Sequence, residues 1–378
     1  MPIERLSDFT DSAAVPCLVL KVGSSLLVAK DGAVREAWIE SLAGEIAVAR
    51  GRGQQVIVVS SGAVALGAAR LGLAAGGRGS LADAQAAAAV GQIALASLWA
   101  DKLGARALTA AQLLVTIEDL EDRRRYLNAA ATLSTLLGAG VVPVVNENDS
   151  VATEEIRFGD NDRLAARVAQ AAGAAAVVLL SDVDGLYDRD PRAEGARLLP
   201  RVDGVTEAIH AMASRASGSG MGSGGMTSKL QAAEIAERAG IALAIVNGTP
   251  DAPLGRAFSG EGIGTLFVPR RSDTARKAWL GGRQRMRGAL VVDSGCAAAL
   301  LRGGSLLAAG IEAVEGDFVR GDPVGVRDAD GRPLAQGLVE YSSAEVARIR
   351  GRRSDEIEAL LGYAPRTAVI HRDHLVLL

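Results

Sequence analysis

The sequence predicts an α/β protein in which a parallel sheet is covered by helices on both faces, followed by a smaller, mainly β domain. Short apolar runs rich in Val, Leu and Ile alternate with alanine-rich stretches of helical composition. Such an alternation is typical of parallel strands that are buried on both faces. Towards the end of the chain it gives way to short strand-like runs and turns. A chain of 378 residues is long enough for two domains.

Each predicted strand runs into a glycine or a polar cluster. The predicted strands are Cys17–Val22, Gln55–Val59, Val141–Val145, Ala175–Leu180 and Ile241–Val246. The predicted helices between them are Trp38–Arg50, Leu81–Leu103, Arg123–Leu137, Asp162–Ala172 and Ser228–Ala239. Ligands of open α/β sheets bind beyond the carboxyl ends of the strands. The polar residues at those ends therefore predict a shared small-molecule site.

Near the end of the chain the alternation of strands and helices gives way to short strands and turns, and this change sets the predicted domain boundaries. We expect a first domain at residues 15–267, a linker at 268–287 and a mainly β domain at 288–378. The linker segment carries seven basic residues against one acidic residue. Within the last segment, DADG at Asp328–Gly331 is a typical hairpin turn sequence.

Composition excludes several classes of protein. The net charge of −3 gives no reason to expect nucleic acid or an anionic membrane as a partner. Two cysteines, Cys17 and Cys296, are too few for a disulfide framework, and three histidines leave little for a zinc site. The first residues lack the apolar core of a signal peptide, and no apolar run is expected to span a membrane. We therefore expect a cytoplasmic protein.

Two lysines stand out because only five of the 41 basic residues are lysine. Lys21 interrupts a predicted buried strand, where a charge is costly unless it is paired or lies at a ligand site. The alternative is an edge strand with an exposed Lys21 side chain. Lys229 follows a glycine-rich loop. Two lysines suit a reaction in which charge builds up on a transferring phosphoryl group.

The glycine-rich loop GSGMGSGGMTSK, Gly218–Lys229, lacks the Gly-Lys-Ser/Thr of a Walker A motif. It contains GxGxxG, but it follows the helical sequence AIHAMASRAS rather than a strand, which argues against a nicotinamide dehydrogenase. The loop could be a flexible linker. Its glycine N–H groups, a helix N-terminus and the Lys229 ammonium would also suit a phosphate.

Three polar residues in a row, Asp160, Asn161 and Asp162, begin the fourth predicted helix. One such residue is enough to cap a helix, and a cap in a solvated acidic loop is one interpretation. The other is that Asp162 holds the two ammonium groups beside a phosphate.

Five motifs in order resemble the amino-acid kinase family, and within it the enzymes that phosphorylate the γ-carboxylate of glutamate at the start of proline synthesis. They are KVGSS (Lys21–Ser25), SSGAVALG (Ser60–Gly67), NENDSVATEEIRFGDND (Asn146–Asp162), SDVDGLYDRDP (Ser181–Pro191) and SGGMTSK (Ser223–Lys229). The last segment is similar to the PUA domain that many of these kinases carry. Small departures, such as serine for threonine at Ser60 and Ser181, keep a hydroxyl group.

The resemblance implies a role for each matching residue. Lys21 and Lys229 would stabilise the transferring phosphoryl group, and Asp162 would orient both lysines. The residues implied for glutamate are Ser61, Asp149, Asn161 and Asn146. Those implied for ATP are Lys21, Ser181, Asp182, Ser223, Gly224, Gly225, Met226, Thr227, Ser228 and Lys229. The resemblance further implies Mg²⁺ that enters with ATP, with no protein ligand assigned, a homo-oligomer (dimer or tetramer), and proline as a feedback inhibitor.

Two alternatives remain at this point. Another kinase of the same family would act on acetylglutamate, aspartate, carbamate or UMP, but these usually differ after the first-strand lysine and lack the long NENDS–GDND segment. An RNA-binding protein is suggested by the PUA-like segment. Residues 281–378 hold 13 basic and 13 acidic residues, so that segment has no excess of positive charge that would bind RNA phosphates.

Overall fold

The structure, a computed structural model, describes residues 3–29, 32–151, 161–216, 225–260, 264–269, 286–363 and 367–378. Asp160, Ser223, Gly224 and most of the predicted linker lie outside these residues. The contacts divide the chain into two compact units, Met1–Arg270 and Arg271–Leu378.

The strands described in the first unit form one sheet of eight, in the order β3-β4-β2-β1-β5-β7-β8-β6. They are β1 Cys17–Val22, β2 Gln55–Ser60, β3 Ala110–Val115, β4 Val142–Glu147, β5 Ala176–Ser181, β6 Arg201–Asp203, β7 Ala242–Asn247 and β8 Thr265–Val268. Neighbouring strands are parallel except β7 and β8. The carboxyl ends of β1, β2, β4, β5 and β7 therefore share one edge, as the sequence predicts.

Helices cover both faces of this sheet. They are α1 Ser24–Leu27, α2 Glu36–Gly51, α3 Ala63–Leu71, α4 Leu81–Gly104, α5 Ile117–Glu121, α6 Arg123–Gly138, α7 Asn161–Ala172, α8 Glu207–Ala216, α9 Met226–Arg238 and α10 Pro253–Phe258. The predicted fold class is confirmed. The chain before β1 also packs here, since Phe9 is buried and contacts Phe258 with ring centroids 5.5 Å apart.

Alternate residues of the central strand β1 face two different core layers. Leu18, Leu20 and Val22 pack into the layer that includes α2 and α4. Cys17 and Val19 pack into the opposite layer, which includes α7 and α9. Lys21 follows the same alternation as Val19, so its side chain emerges on the side of α7 and α9. β1 pairs with β2 and β5, so Lys21 does not lie on an edge strand.

Helices α3 and α4 touch backbone to backbone. A Cβ atom on Gly67 would lie 1.8 Å from the carbonyl oxygen of Ala87, and one on Gly91 would lie 1.8 Å from that of Ala63. Real side chains do not tolerate such distances, so both positions require glycine. The contact fixes the start of α3 against the middle of α4.

Helix α4 bears on the expectation that no apolar run spans a membrane. It has 24 residues, and an 18-residue window within it has a mean hydropathy of 1.3, so it is long and apolar enough to cross a membrane by length and composition. Leu95, Trp99 and Leu103 of α4 are fully buried in the first unit's core, and 28% of the apolar window is buried. One helix of this kind is weak evidence for a membrane span.

The strands described in the second unit form a sheet of five in the order β11-β9-β12-β13-β15 and a pair β10-β14. They are β9 Gly288–Val292, β10 Leu306–Leu307, β11 Ile311–Gly316, β12 Pro323–Asp328, β13 Pro333–Leu338, β14 Ala368–Ile370 and β15 Leu375–Leu377. The helices are α11 Ser294–Leu301, α12 Ser343–Ile349 and α13 Ile357–Leu361. The predicted DADG hairpin joins β12 to β13, where Gly331 N donates to Asp328 O at 3.0 Å.

Candidate active site

One carboxylate lies between two lysines at the carboxyl end of β1. Lys21 Nζ is 2.7 Å from Asp162 Oδ1, and Lys229 Nζ donates to Asp162 Oδ2 at 2.9 Å. Exposure of the three residues is only 8% for Lys21, 2% for Asp162 and 5% for Lys229. They come from β1, the first turn of α7 and the first turn of α9, which the fold brings to one place. Asp162 is therefore more than a solvated helix cap.

The charges in this cluster determine the ionisation of Asp162. Burial alone would raise its pKa, but the neighbouring Lys21 and Lys229 ammonium groups hold the pKa below its usual value. The carboxylate is therefore ionised at neutral pH, and two positive charges face one negative charge. Two lysines held together at a buried site suit a transferring phosphoryl group.

Helix α9 offers backbone donors beside Lys229. It begins at Met226, and its N-cap residue Gly225 makes no side-chain hydrogen bond to the first turn. First-turn N–H groups at a helix N-terminus favour a phosphate, although Ser228 N already donates to Gly225 O at 3.1 Å. Of the predicted ATP loop, Gly225, Met226, Thr227 and Ser228 lie at this helix start, whereas Ser223 and Gly224 lie outside the described residues.

A concave pocket opens beside the lysine cluster on the side of β2. It is lined by Ser24, Ser61, Gly62, Val64, Ala65, Arg78, Asp149 and Asn161. Three residues implied for glutamate, Ser61, Asp149 and Asn161, thus line one pocket. Asn161 and Asp162 are consecutive in the chain, so the pocket adjoins the lysine cluster.

Hydrogen bonds connect this pocket to Asn146. Asn161 Nδ2 donates to Ser61 Oγ at 2.6 Å and to Asn146 Oδ1 at 3.1 Å. Asn146 Nδ2 donates in turn to Gln92 Oε1 at 2.8 Å. Asn146 therefore lies one hydrogen bond behind the pocket wall.

Two acceptors in the pocket wall are left open. Among the described residues, no hydrogen-bond partner reaches the buried Asp149 Oδ1 or Asn161 Oδ1. Burial raises the pKa of Asp149 to about 6, and the positive charge of Arg78 opposes this rise. Unsatisfied buried acceptors in a pocket favour a ligand with N–H donors, such as an ammonium group.

Ser181 and Asp182 lie at the end of β5, the neighbour of β1. Ser181 Oγ donates to Asp182 Oδ1 at 3.2 Å, and Gly248 N donates to Ser181 O at 2.7 Å. Ser181 is buried and Asp182 is exposed. Both lie at the same sheet edge as Lys21, but their role towards ATP stays a prediction.

Sequence reasoning missed Arg78, Gln92 and Trp99. Arg78 lines the pocket from the segment between α3 and α4. Trp99 Nε1 donates to Ser60 Oγ at 2.9 Å, which ties α4 to the residue before Ser61. Gln92 and Trp99 both lie in an alanine-rich helix, and a Gln or a Trp there reads as ordinary helix composition. Only their isolation among small apolar residues could have indicated that these two residues have a special role.

No cluster of three or more His, Cys, Asp or Glu side chains is arranged to hold a metal ion in the part of the chain that the structure describes. The two thiols are also poorly suited to chemistry. Burial raises the pKa of Cys17 to about 12 and that of Cys296 to about 11.

Residues 16–247 match the family model described as amino acid kinase family, and residues 288–361 match that of the PUA domain. The first match spans more than half of the chain. The protein therefore belongs to the amino acid kinase family, which confirms the resemblance drawn from its motifs.

Relatives along the whole chain point to one group within this family. The chain is similar to the glutamate 5-kinase of Novosphingobium aromaticivorans, with 67% identity over 100% of both chains. It is 60% identical to that of Sphingopyxis alaskensis (97% of this chain, 98% of the relative) and 54% identical to that of Zymomonas mobilis (96% and 91%). The solved UMP kinase of Bacillus anthracis is 16% identical, covering 68% of this chain and 97% of its own, with a TM-score of 0.46. A likeness of that size adds nothing to the assignment.

Proposed function

We propose that the protein transfers the γ-phosphoryl group of ATP to the γ-carboxylate of L-glutamate, which gives L-glutamyl 5-phosphate and ADP, the first step of proline synthesis. The observation that carries this proposal is the juxtaposition of a two-lysine cluster with a pocket that offers open carboxylate and amide acceptors. The names of its whole-chain relatives support it.

In this reaction the carboxylate oxygen of glutamate attacks the γ-phosphorus, and the bond from that phosphorus to the bridging oxygen of ADP breaks. A side-chain carboxyl group with a pKa of about 4.3 is already ionised at neutral pH, so the attack needs no general base. Lys21 and Lys229 offset the negative charge of the phosphoryl oxygens, and Asp162 keeps both ammonium groups in position. The barrier that these residues lower is electrostatic.

The pocket is suited to the α-amino acid end of glutamate. The ammonium group would bind Asp149 and Asn161 Oδ1, the acceptors that are open among the described residues. The carboxylate at that end would meet the Arg78 guanidinium. This orientation directs the γ-carboxylate along α7 from Asn161 towards Asp162 and the lysines.

Mg²⁺ is expected to enter with ATP. This ion keeps several waters and binds through phosphate oxygens and at most one or two carboxylates in many kinases. The ion would neutralise phosphate charge that the two lysines do not reach.

Hydroxylamine trapping tests the proposed reaction, because an acyl phosphate becomes a hydroxamate that forms a coloured complex with ferric iron. The protein should form hydroxamate from L-glutamate with ATP and Mg²⁺, and much less from L-aspartate or N-acetylglutamate. Strong turnover of either of those acids with none of glutamate would overturn the assignment. Light scattering of the unmodified protein would test the expected dimer or tetramer. Titration of proline into the hydroxamate assay would test the expected feedback inhibition.

A further inference from the structure

The amide groups behind the pocket form a chain of hydrogen bonds in which each NH₂ group donates to the carbonyl oxygen of the next amide. Asn161 Nδ2 donates to Asn146 Oδ1, and Asn146 Nδ2 donates to Gln92 Oε1 on α4. Asn146 and Asn161 are buried, with exposures of 1% and 3%. A buried amide that makes a poor hydrogen bond loses stability, so each group in the chain constrains the orientation of the next.

This direction determines what the pocket offers a ligand. A side-chain amide has two N–H donors and one carbonyl acceptor. The Asn161 Nδ2 group donates to Ser61 Oγ and Asn146 Oδ1, so Oδ1 is the group left over, and no described residue donates to it. Ser61 Oγ accepts from Asn161, which leaves its own O–H free to donate. The pocket thus borders a buried acceptor at Asn161 and a hydroxyl donor at Ser61.

We propose that Gln92 is a positioning residue that sets this donor and acceptor pattern, an inference that rests on the proposed function for its substrate. Gln92 Oε1 is the acceptor at the far end of the chain. Without it, Asn146 can rotate its amide by half a turn, and its Nδ2 then faces the Nδ2 of Asn161. Asn161 relieves that conflict by rotating as well, and the pocket then meets the ammonium group of glutamate with N–H donors instead of an oxygen.

Two substitutions of Gln92 separate this role from simple packing. Gln92→Met keeps the length of the side chain and removes the acceptor, whereas Gln92→Glu keeps an acceptor at the same place. We expect Gln92→Met to raise the KM for glutamate by roughly fivefold to tenfold, the effect of one buried hydrogen bond, with kcat and the KM for ATP within about twofold. Gln92→Glu should restore the KM for glutamate to within about twofold of the unmodified protein.

Gln54 provides a matched control in the same unit. Gln54 is buried, whereas Gln92 is partly buried, and Gln54 Nε2 donates to Phe9 O at 2.8 Å and to Val15 O at 2.9 Å. Gln54→Leu should lower the Tm and leave the KM for glutamate unchanged. If Gln54→Leu raises this KM as much as Gln92→Met does, the effect reflects general destabilisation and the proposal is wrong.

A double-mutant cycle tests whether Gln92 acts through Asn146. In an Asn146→Ala background the chain is already broken, so Gln92→Met should cause no further rise in the KM for glutamate. Additive effects would overturn the proposal, and so would a Gln92→Glu variant as impaired as Gln92→Met.

A spectroscopic measurement tests the amide chain without relying on turnover. The side-chain NH₂ signal of Asn161, assigned by its loss in Asn161→Ala, should be unchanged in Gln92→Glu and shifted or broadened in Gln92→Met. An unshifted signal in Gln92→Met would refute the inference even if glutamate proves to be the substrate. Absence of glutamyl hydroxamate with the unmodified protein would instead refute the proposed function and leave this measurement valid.

Discussion

Asn161 and Asp162 are consecutive residues at the start of α7, yet their side chains serve two different parts of the site. The Asn161 amide bonds Ser61 in the pocket wall at 2.6 Å, and the Asp162 carboxylate lies between Lys21 and Lys229. The first turn of one helix therefore spans the proposed glutamate pocket and the proposed phosphoryl site. A small rotation of this turn would disturb both the pocket and the lysine cluster.

Removing either lysine should reduce catalysis strongly. We expect Lys21→Ala and Lys229→Ala each to lower kcat by roughly 10²- to 10³-fold, as for one preorganised donor to transition-state charge. Arginine should not restore activity at either position, because its planar fork is larger and its donors point differently. Steady-state kinetics with hydroxamate detection would measure this, and near-normal kcat in either alanine variant would contradict it.

Replacing Asp162 by asparagine should damage the same step. Asp162→Asn keeps the shape but removes the charge between two buried ammonium groups, so the lysines should repel each other and lose their positions. The loss should fall mainly on kcat. Combined with Lys229→Ala, it should be much less than additive, since groups that act as a unit are not independent. Fully additive losses would mean that Asp162 does not organise the lysines.

Glutamate and ATP should bind at separable sites. Asp149→Ala and Asn161→Ala should raise the KM for glutamate far more than the KM for ATP, because both residues line the pocket and neither lies on α9. Determining both KM values for each variant tests this. A selective loss of ATP affinity would show that the two substrates have been placed the wrong way round.

The affinity for glutamate should depend on pH through Asp149. Burial raises its pKa to about 6, and only the ionised form pairs with an ammonium group. The KM for glutamate should therefore be flat above this pKa and should rise as the pH falls below it, by up to about tenfold per pH unit. Asp149→Asn should have a high KM without this dependence. The same pH profile in Asp149→Asn would assign the effect to another group.

The second unit should be dispensable for chemistry but not for control. All catalytic and binding residues proposed here precede β8, which ends at Val268 and pairs with β6 and β7. A chain that ends after Pro269 keeps this strand whole, whereas an end at Leu266 would cut it. We expect the shorter chain to form glutamyl hydroxamate within a few-fold of the full rate. A truncated protein with a cooperative thermal transition and no activity would contradict this.

Much of the fold could be predicted because its central elements are strongly patterned. The observed β1 coincides with the predicted strand, and the predicted helix at Leu81 differs from α4 by one residue. Strand β3 was missed because its sequence, AAQLLV, lies at the edge of the sheet and is only partly buried. An edge strand lacks the continuous apolar run that identifies a strand buried on both faces.

The site was predictable where unusual residues follow strands, and not where the contacts come from a distant helix. Lys21 was conspicuous because it interrupts a buried strand, and the cluster with Asp162 and Lys229 agrees with that reasoning. Gln92 meets Asn146, which is 54 residues away in sequence, and no local pattern encodes that approach. Tertiary packing alone brings the two amides together.

The backbone contact between Gly67 and α4 has a consequence for substrate size. Gly62, Val64 and Ala65 line one wall of the pocket, and α3, which begins at Ala63, rests against α4 without an intervening side chain. A homologue of glutamate with one more methylene group, such as 2-aminoadipate, would need this wall to retreat, but the backbone behind it leaves no slack. We therefore expect that trimming a pocket-lining side chain would not be enough to admit the longer acid, because two helix backbones support this wall.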